Sequence, residues 1–80
     1  MRRKSAFQVE ASYPFLGLDD HEMMNRLLIE VVGCEPDTKG RDKFNVILFW
    51  NTVEIGKAKT IAMKIRKAGI PSVRVKVSAI

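Results

Sequence analysis

Apolar and polar positions alternate at the start of the chain: Phe7, Val9 and Ala11 against Gln8, Glu10 and Ser12. A period of two is the mark of a half-buried strand, and Tyr13-Pro14 closes it, because proline cannot donate to a ladder. The period then lengthens. Met24, Leu27, Leu28 and Val31 recur at helical spacing. Asp19 is the expected N-cap of that helix, with Glu22 three residues on as its capping-box partner, and Gly33 is the expected stop. A short strand is expected around Val32–Glu35. Asp37-Thr38-Lys39-Gly40 has the composition of a turn.

The second half repeats the grammar. Residues 44–50 read as a strand, with Phe44, Val46, Leu48 and Trp50 on one face and Asn45, Ile47 and Phe49 on the other. The wholly apolar row is expected against helices. Asn51 is the expected cap of a second helix, with Glu54 at its third position and Ala58, Ile61, Ala62, Ile65 and Ala68 as its inward stripe. Gly69 and Pro71 end it. Val73, Val75, Val77 and Ala79 then alternate with Ser72, Arg74, Lys76 and Ser78 in a last strand. Phe7-x-Val9 and Phe44-x-Val46 each open a strand, and Gly33 and Gly69 each close the helix that follows. Two βαβ units in tandem predict an α+β chain, a ferredoxin-like βαββαβ sandwich with a short second strand and both helices on one face of an antiparallel sheet.

At 80 residues this is one domain, residues 6–80, behind a basic N-terminal arm, residues 1–5. Its core is small, so packing or a partner must supply much of the stability. Met-Arg-Arg-Lys-Ser-Ala leads into a sequence interrupted by Gln8, Glu10 and Ser12. A secretory signal would continue with an apolar run, so a cytoplasmic protein is expected.

The charge is distributed unevenly. The net charge is +5, but residues 1–40 carry −2 and residues 41–80 carry +7. Such asymmetry points to an anionic partner, RNA, DNA or a nucleoprotein. The candidate nucleic-acid-binding residues are Lys57, Lys59, Lys64 and Lys67 on the second helix and Arg74 and Lys76 on the last strand. Lys59, Thr60, Met63 and Lys67 are expected outward on that helix, flanked by Lys57, Lys64 and Arg66. Ile47 and Phe49 are expected on the open sheet face with Gln8, Glu10, Arg74 and Lys76, a setting in which an aromatic can stack a base.

Enzyme chemistry finds no support. His21 and Cys34 are the only residues of their kinds. They bracket one helix, about 20 Å apart at 1.5 Å per residue. Cys34 is expected as a small buried hydrophobe. Asp19, Asp20 and Glu22 are explained as cap and dipole partners of a helix start. Neither GxxxxGK nor GxGxxG occurs, and no metal or cofactor site is expected.

The order of elements resembles that of the RNA-recognition motif. KFNVILFW lacks the glycines and two of the aromatics of that family's third-strand signature, and FQVEAS does not match its first-strand signature, so no residue roles carry over. The Phe-x-Val starts and the Ala-rich helix ending in Lys-Ala-Gly also resemble the SPOR peptidoglycan-binding repeat, a family that works outside the cytoplasmic membrane.

Two functions are therefore expected. One is a non-enzymatic binding protein contacting nucleic acid or a nucleoprotein through the basic half and the open sheet face. The alternative is a protein–protein adaptor or inhibitor, such as an accessory protein of a phage or mobile element. Its partner interface would be Asn45, Ile47 and Phe49, and it would self-associate through residues 44–50 if that strand forms a sheet edge.

Overall fold

A computed structural model describes residues 5–80; the arm at residues 1–5 lies almost wholly outside the described residues. Six elements follow one another: β1 (Phe7–Pro14), α1 (Leu18–Val32), β2 (Thr38–Arg41), β3 (Asn45–Thr52), α2 (Ile55–Lys67) and β4 (Arg74–Ala79). The strands form one antiparallel sheet in the order β2-β3-β1-β4. Both helices cover one face of it, the ferredoxin-like layout.

The core lies between the layers. Val9, Ala11 and Tyr13 of β1 and Val46, Leu48 and Trp50 of β3 are buried beneath Met24, Leu28 and Val32 of α1 and Ala58, Ala62 and Ile65 of α2. Side-chain size sets the packing. The small faces of Ala58 and Ala62 let α2 sit close on β1, β3 and β4. The bulky residues serve the other helix: the Tyr13 hydroxyl meets His21 of α1 at 2.8 Å, and the Trp50 indole N–H donates to the carbonyl of Cys34 just beyond α1 at 3.1 Å.

Several sequence-based expectations shift. Helix α1 begins at Leu18 with Gly17 as its cap, and Asp19 and Asp20 lie in the first turn. Gly17 adopts φ 127°, which turns the chain from Pro14–Leu16 into the helix and moves the cap two residues upstream of Asp19. Asp19 and Asp20 still face the positive end of the helix dipole. Within α1, Met24, Leu28 and Val32 form the buried line; Leu27 lies on its flank, 38% exposed.

The second strand is Thr38–Arg41, where the sequence suggested a turn, and not residues 32–35. Val32 ends α1, and Gly33 at φ 92° reverses the chain. Pairing with β3 then overrides turn propensity: the Asp37 N–H donates to the Phe49 carbonyl at 2.8 Å, and Thr38 and Gly40 pair with Phe49 and Ile47. The actual turn is Asp42–Phe44. Its carboxylate accepts the N–H groups of Phe44 at 2.9 Å and Asn45 at 3.2 Å. Phe44 thus belongs to the turn, 69% exposed, instead of packing against the helices.

Strand β3 also runs further than expected. Asn51 pairs with Gln8 of β1 and takes an Asp37 carboxylate oxygen on its N–H at 2.7 Å, so it remains in the sheet and Glu54 caps α2. Ala68 is the C-cap of α2 and is exposed, outside the inward stripe. Because β2 covers its outer side, β3 is flanked by strands on both sides. It offers no free edge for strand addition, which corrects the expectation of dimerisation through an edge at residues 44–50. Among the described residues the outer strands are β2 and β4.

Candidate nucleic-acid interface

Helix α2 carries Lys57, Lys59, Lys64, Arg66 and Lys67 and no acidic residue in 13 positions. Its alanines and straight-chain lysines favour the helix, and three of the cations lie in the last turn, where the dipole welcomes them. At 100° per residue, Lys57 and Lys64 fall on one flank and Lys59 and Arg66 on the opposite one, with Met63 and Lys67 on the outer crest. All of these side chains are exposed.

The two flanks face different surroundings. Lys57 and Lys64 border a groove of about 780 Å³ that also holds Cys34, Glu35, Asp37 and Glu54. The two lysines share that groove with three carboxylates. Lys59 and Arg66 point the other way, toward β4, the strand against which α2 packs at the sheet border. On β4, Arg74 and Lys76 stand on the opposite, helix-free side of the sheet and are exposed. The six sequence-based candidates are thus divided: Lys57 and Lys64 into the groove, Lys59 and Lys67 on the free side of α2, Arg74 and Lys76 on the open face. Arg66, outside the candidate set, belongs with Lys59. Helix spacing alone relates Lys59 to Arg66; only the strand order places that row beside β4.

The open face is built by register. One row across the sheet reads Thr38, Phe49, Glu10 and Lys76, and the next reads Gly40, Ile47, Ser12 and Arg74. Asn45, Asn51, Gln8 and Ser78 complete it. Phe49 and Ile47 are half-buried, among the described residues the only aromatic and the largest aliphatic group on this face. The Phe49 ring lies over Gly40, so closely that a Cβ there would sit 3.1 Å from the ring. The absent side chain is what lets the ring lie down on the edge strand. Asn45 is drawn instead toward the turn, its amide donating to Asp42 at 3.3 Å.

A second cluster escaped sequence reasoning. The Tyr13 hydroxyl, His21, Phe15 and Arg41 converge at the start of α1. The rings of Phe15 and His21 are 5.6 Å apart, and the Arg41 guanidinium lies 4.5 Å over Phe15. Burial, reinforced by the charge of Asp20, pushes the Tyr13 hydroxyl above its ordinary pKa. Its partners come from β1, β2 and α1, so no local pattern announces it. It braces the helix against the sheet.

Cys34 is exposed, contrary to expectation, because it follows the Gly33 reversal in a surface turn. Among the described residues no group of three or more His, Cys, Asp and Glu side chains could hold a metal ion, and no helix is long and apolar enough to cross a membrane. No protein-family model matches the chain, and comparison with curated proteins and with solved structures gives no match.

Proposed function

We propose that this protein is a non-enzymatic binder of single-stranded nucleic acid. The observation that carries the reading is the border formed by α2 and β4: Lys59 and Arg66 on the helix and Arg74 and Lys76 on the strand. Four cations on two rigid, adjacent elements can follow a phosphate chain around the sheet edge.

The open face supplies a place for bases. Phe49 lies two strands from Lys76, about 10 Å at the usual spacing between neighbours. A nucleotide whose phosphate sits at the border can extend its base toward that ring. Glu10 stands between them. It repels phosphate from the middle of the sheet and can accept a hydrogen bond from an exocyclic amino group. Gln8, Ser12, Asn51 and Ser78 offer further polar contacts without reading a fixed sequence.

The test is fluorescence anisotropy with labelled single- and double-stranded RNA and DNA of about 12 nucleotides, using nuclease-treated protein across a salt series. Binding that is tighter for single strands, steep in salt and lost in Phe49→Ala with Arg74→Gln supports the reading. No binding at low salt overturns it. Capture of a protein partner that depends on Ile47 and Phe49 would assign the same face to an adaptor role.

A further inference from the structure

The two helices form a charged layer with opposite signs side by side. Helix α1 holds Asp19, Asp20, Glu22 and Glu30 against Arg26, net −3, and α2 holds five cations and no anion, net +5. The carboxylates of Asp19, Glu22 and Glu30 line one outward-facing groove with Met23, Leu27 and Arg26. Met23, Leu27 and Met63 are 59, 38 and 47% exposed on this same outer side. The layer is thus part charged and part apolar, and nothing among the described residues covers it.

The direction of the helices makes the layer complementary to itself. Strands β1 and β3 are antiparallel, so the helices that return from them are antiparallel as well. The start of α1 follows Pro14, and the end of α2 precedes Arg74, which pairs with Ser12. The acidic first turn of α1 and the basic last turn of α2 therefore lie at the same end of the molecule. A twofold axis parallel to the helices, midway between them, lays α1 of one copy along α2 of the other with those ends in register.

Counting from that shared end at 1.5 Å per residue gives the contacts. Asp19 comes level with Lys67, Glu22 with Lys64, and Glu30 with Lys57. Met23, five residues into α1, meets Met63, four residues before the end of α2. Arg26 stands level with Thr60, the one charge on this crest without an opposite partner. Each pair occurs twice by symmetry.

We infer that the helical layer is a homodimer interface in which α1 of each copy packs against α2 of the other. A standard interface takes about 800 Å² from each partner, about a seventh of the 5727 Å² exposed by one chain. Two paired helices of this length can supply it. Because the seam is rich in charge and modest in apolar area, the dimer is weak and sensitive to salt. The inference is independent of the nucleic-acid reading. Dimerisation uses Lys57, Lys64 and Lys67 and leaves both open sheet faces and the Lys59–Arg66 flank free.

Sedimentation equilibrium of the nuclease-treated full chain tests it. At low salt and high protein concentration the mass should approach twice the 9.1 kDa of one chain. Raising salt to about 0.5 M should weaken association at least about tenfold. Two double variants sharpen the test: Glu22→Lys with Glu30→Lys, and Lys57→Glu with Lys64→Glu. In each, one change opposes the helix dipole and the other favours it, so the fold is retained, as circular dichroism would verify. Each alone should be monomeric, and an equimolar mixture should recover the doubled mass. A wild-type chain that stays at single mass in low salt overturns the inference. So does a dimer that persists in both variants, or a mixture that remains monomeric. The salt series needs no variant and decides the matter even if one fails to fold.

Discussion

The indole N–H of Trp50 donates to the backbone carbonyl of Cys34 at 3.1 Å, across 16 residues of sequence. This one bond ties the C-terminal part of β3 to the turn that leaves α1. It also satisfies the only polar atom of a side chain that is 1% exposed. Trp50→Phe keeps an aromatic ring but removes the donor and part of the volume. The variant should lose about 1–3 kcal/mol in urea unfolding, with the turn at Cys34–Pro36 losing amide protection first. Unchanged stability would mean that the bond contributes nothing net.

Phe49 and Gly40 form the second such contact. A methyl group at residue 40 would sit 3.1 Å from the ring, so in Gly40→Ala the Phe49 ring must shift by a few tenths of an ångström. A cost of about 1 kcal/mol is expected, since the ring is half-buried and can yield. Gly40→Ala should cost nothing further in a Phe49→Ala background, where the ring is gone. Oligonucleotide affinity should fall in Gly40→Ala, and by less than in Phe49→Ala, because the ring is shifted but still present. A double-mutant cycle on both stability and binding measures the coupling.

The basic border gives a quantitative expectation. Four phosphate contacts on a single strand correspond to a slope of about −3 in log K against log salt. Replacing Lys59 and Arg66 by Gln should reduce that slope by about half, as should replacing Arg74 and Lys76. Lys57→Gln should leave it nearly unchanged, because that side chain borders a groove shared with Glu35, Asp37 and Glu54. Equal effects from all positions would point to a diffuse charge effect instead of a tracked path.

Stability should fall at both ends of the pH scale for separate reasons. The N–H of Phe44 holds the Asp42 carboxyl below the ordinary carboxylate range, helped by the side chain and N–H of Asn45. A depressed folded value contributes stability above the unfolded value near 3.8 and loses it as pH drops through the folded value. Asp42→Asn should therefore flatten the acid side of a melting-temperature profile. Tyr13 behaves oppositely. Its raised value makes a contribution that is complete below pH 10 and lost as pH rises through the folded value. Tyr13→Phe should flatten the alkaline side. If neither limb changes, these groups do not govern it.

Much of the architecture is legible in the chain. The alternation in Phe7–Ser12 and Phe44–Trp50, the stripe at Ala58, Ala62 and Ile65, and the glycine stops all mark local elements, because local periodicity reports which side of an element is buried. Two tandem βαβ units then leave few ways to build a sheet. The open-face positions of Ile47, Phe49, Arg74 and Lys76 follow from the same alternation.

What the chain could not reveal are the features that depend on pairing over distance. Thr38–Arg41 has turn chemistry and becomes a strand only because β3 offers it hydrogen bonds, and Asn51 has cap chemistry and stays in the sheet opposite Gln8. Strand order, not composition, sets Lys59 and Arg66 on the β4 side of α2 and Lys57 and Lys64 along a groove shared with Glu35, Asp37 and Glu54. It also aligns the acidic end of α1 with the basic end of α2. Sequence determines the faces of this protein's elements, through a periodicity that each segment carries alone. Tertiary structure decides which charges and rings share a surface, because that depends on contacts between segments tens of residues apart.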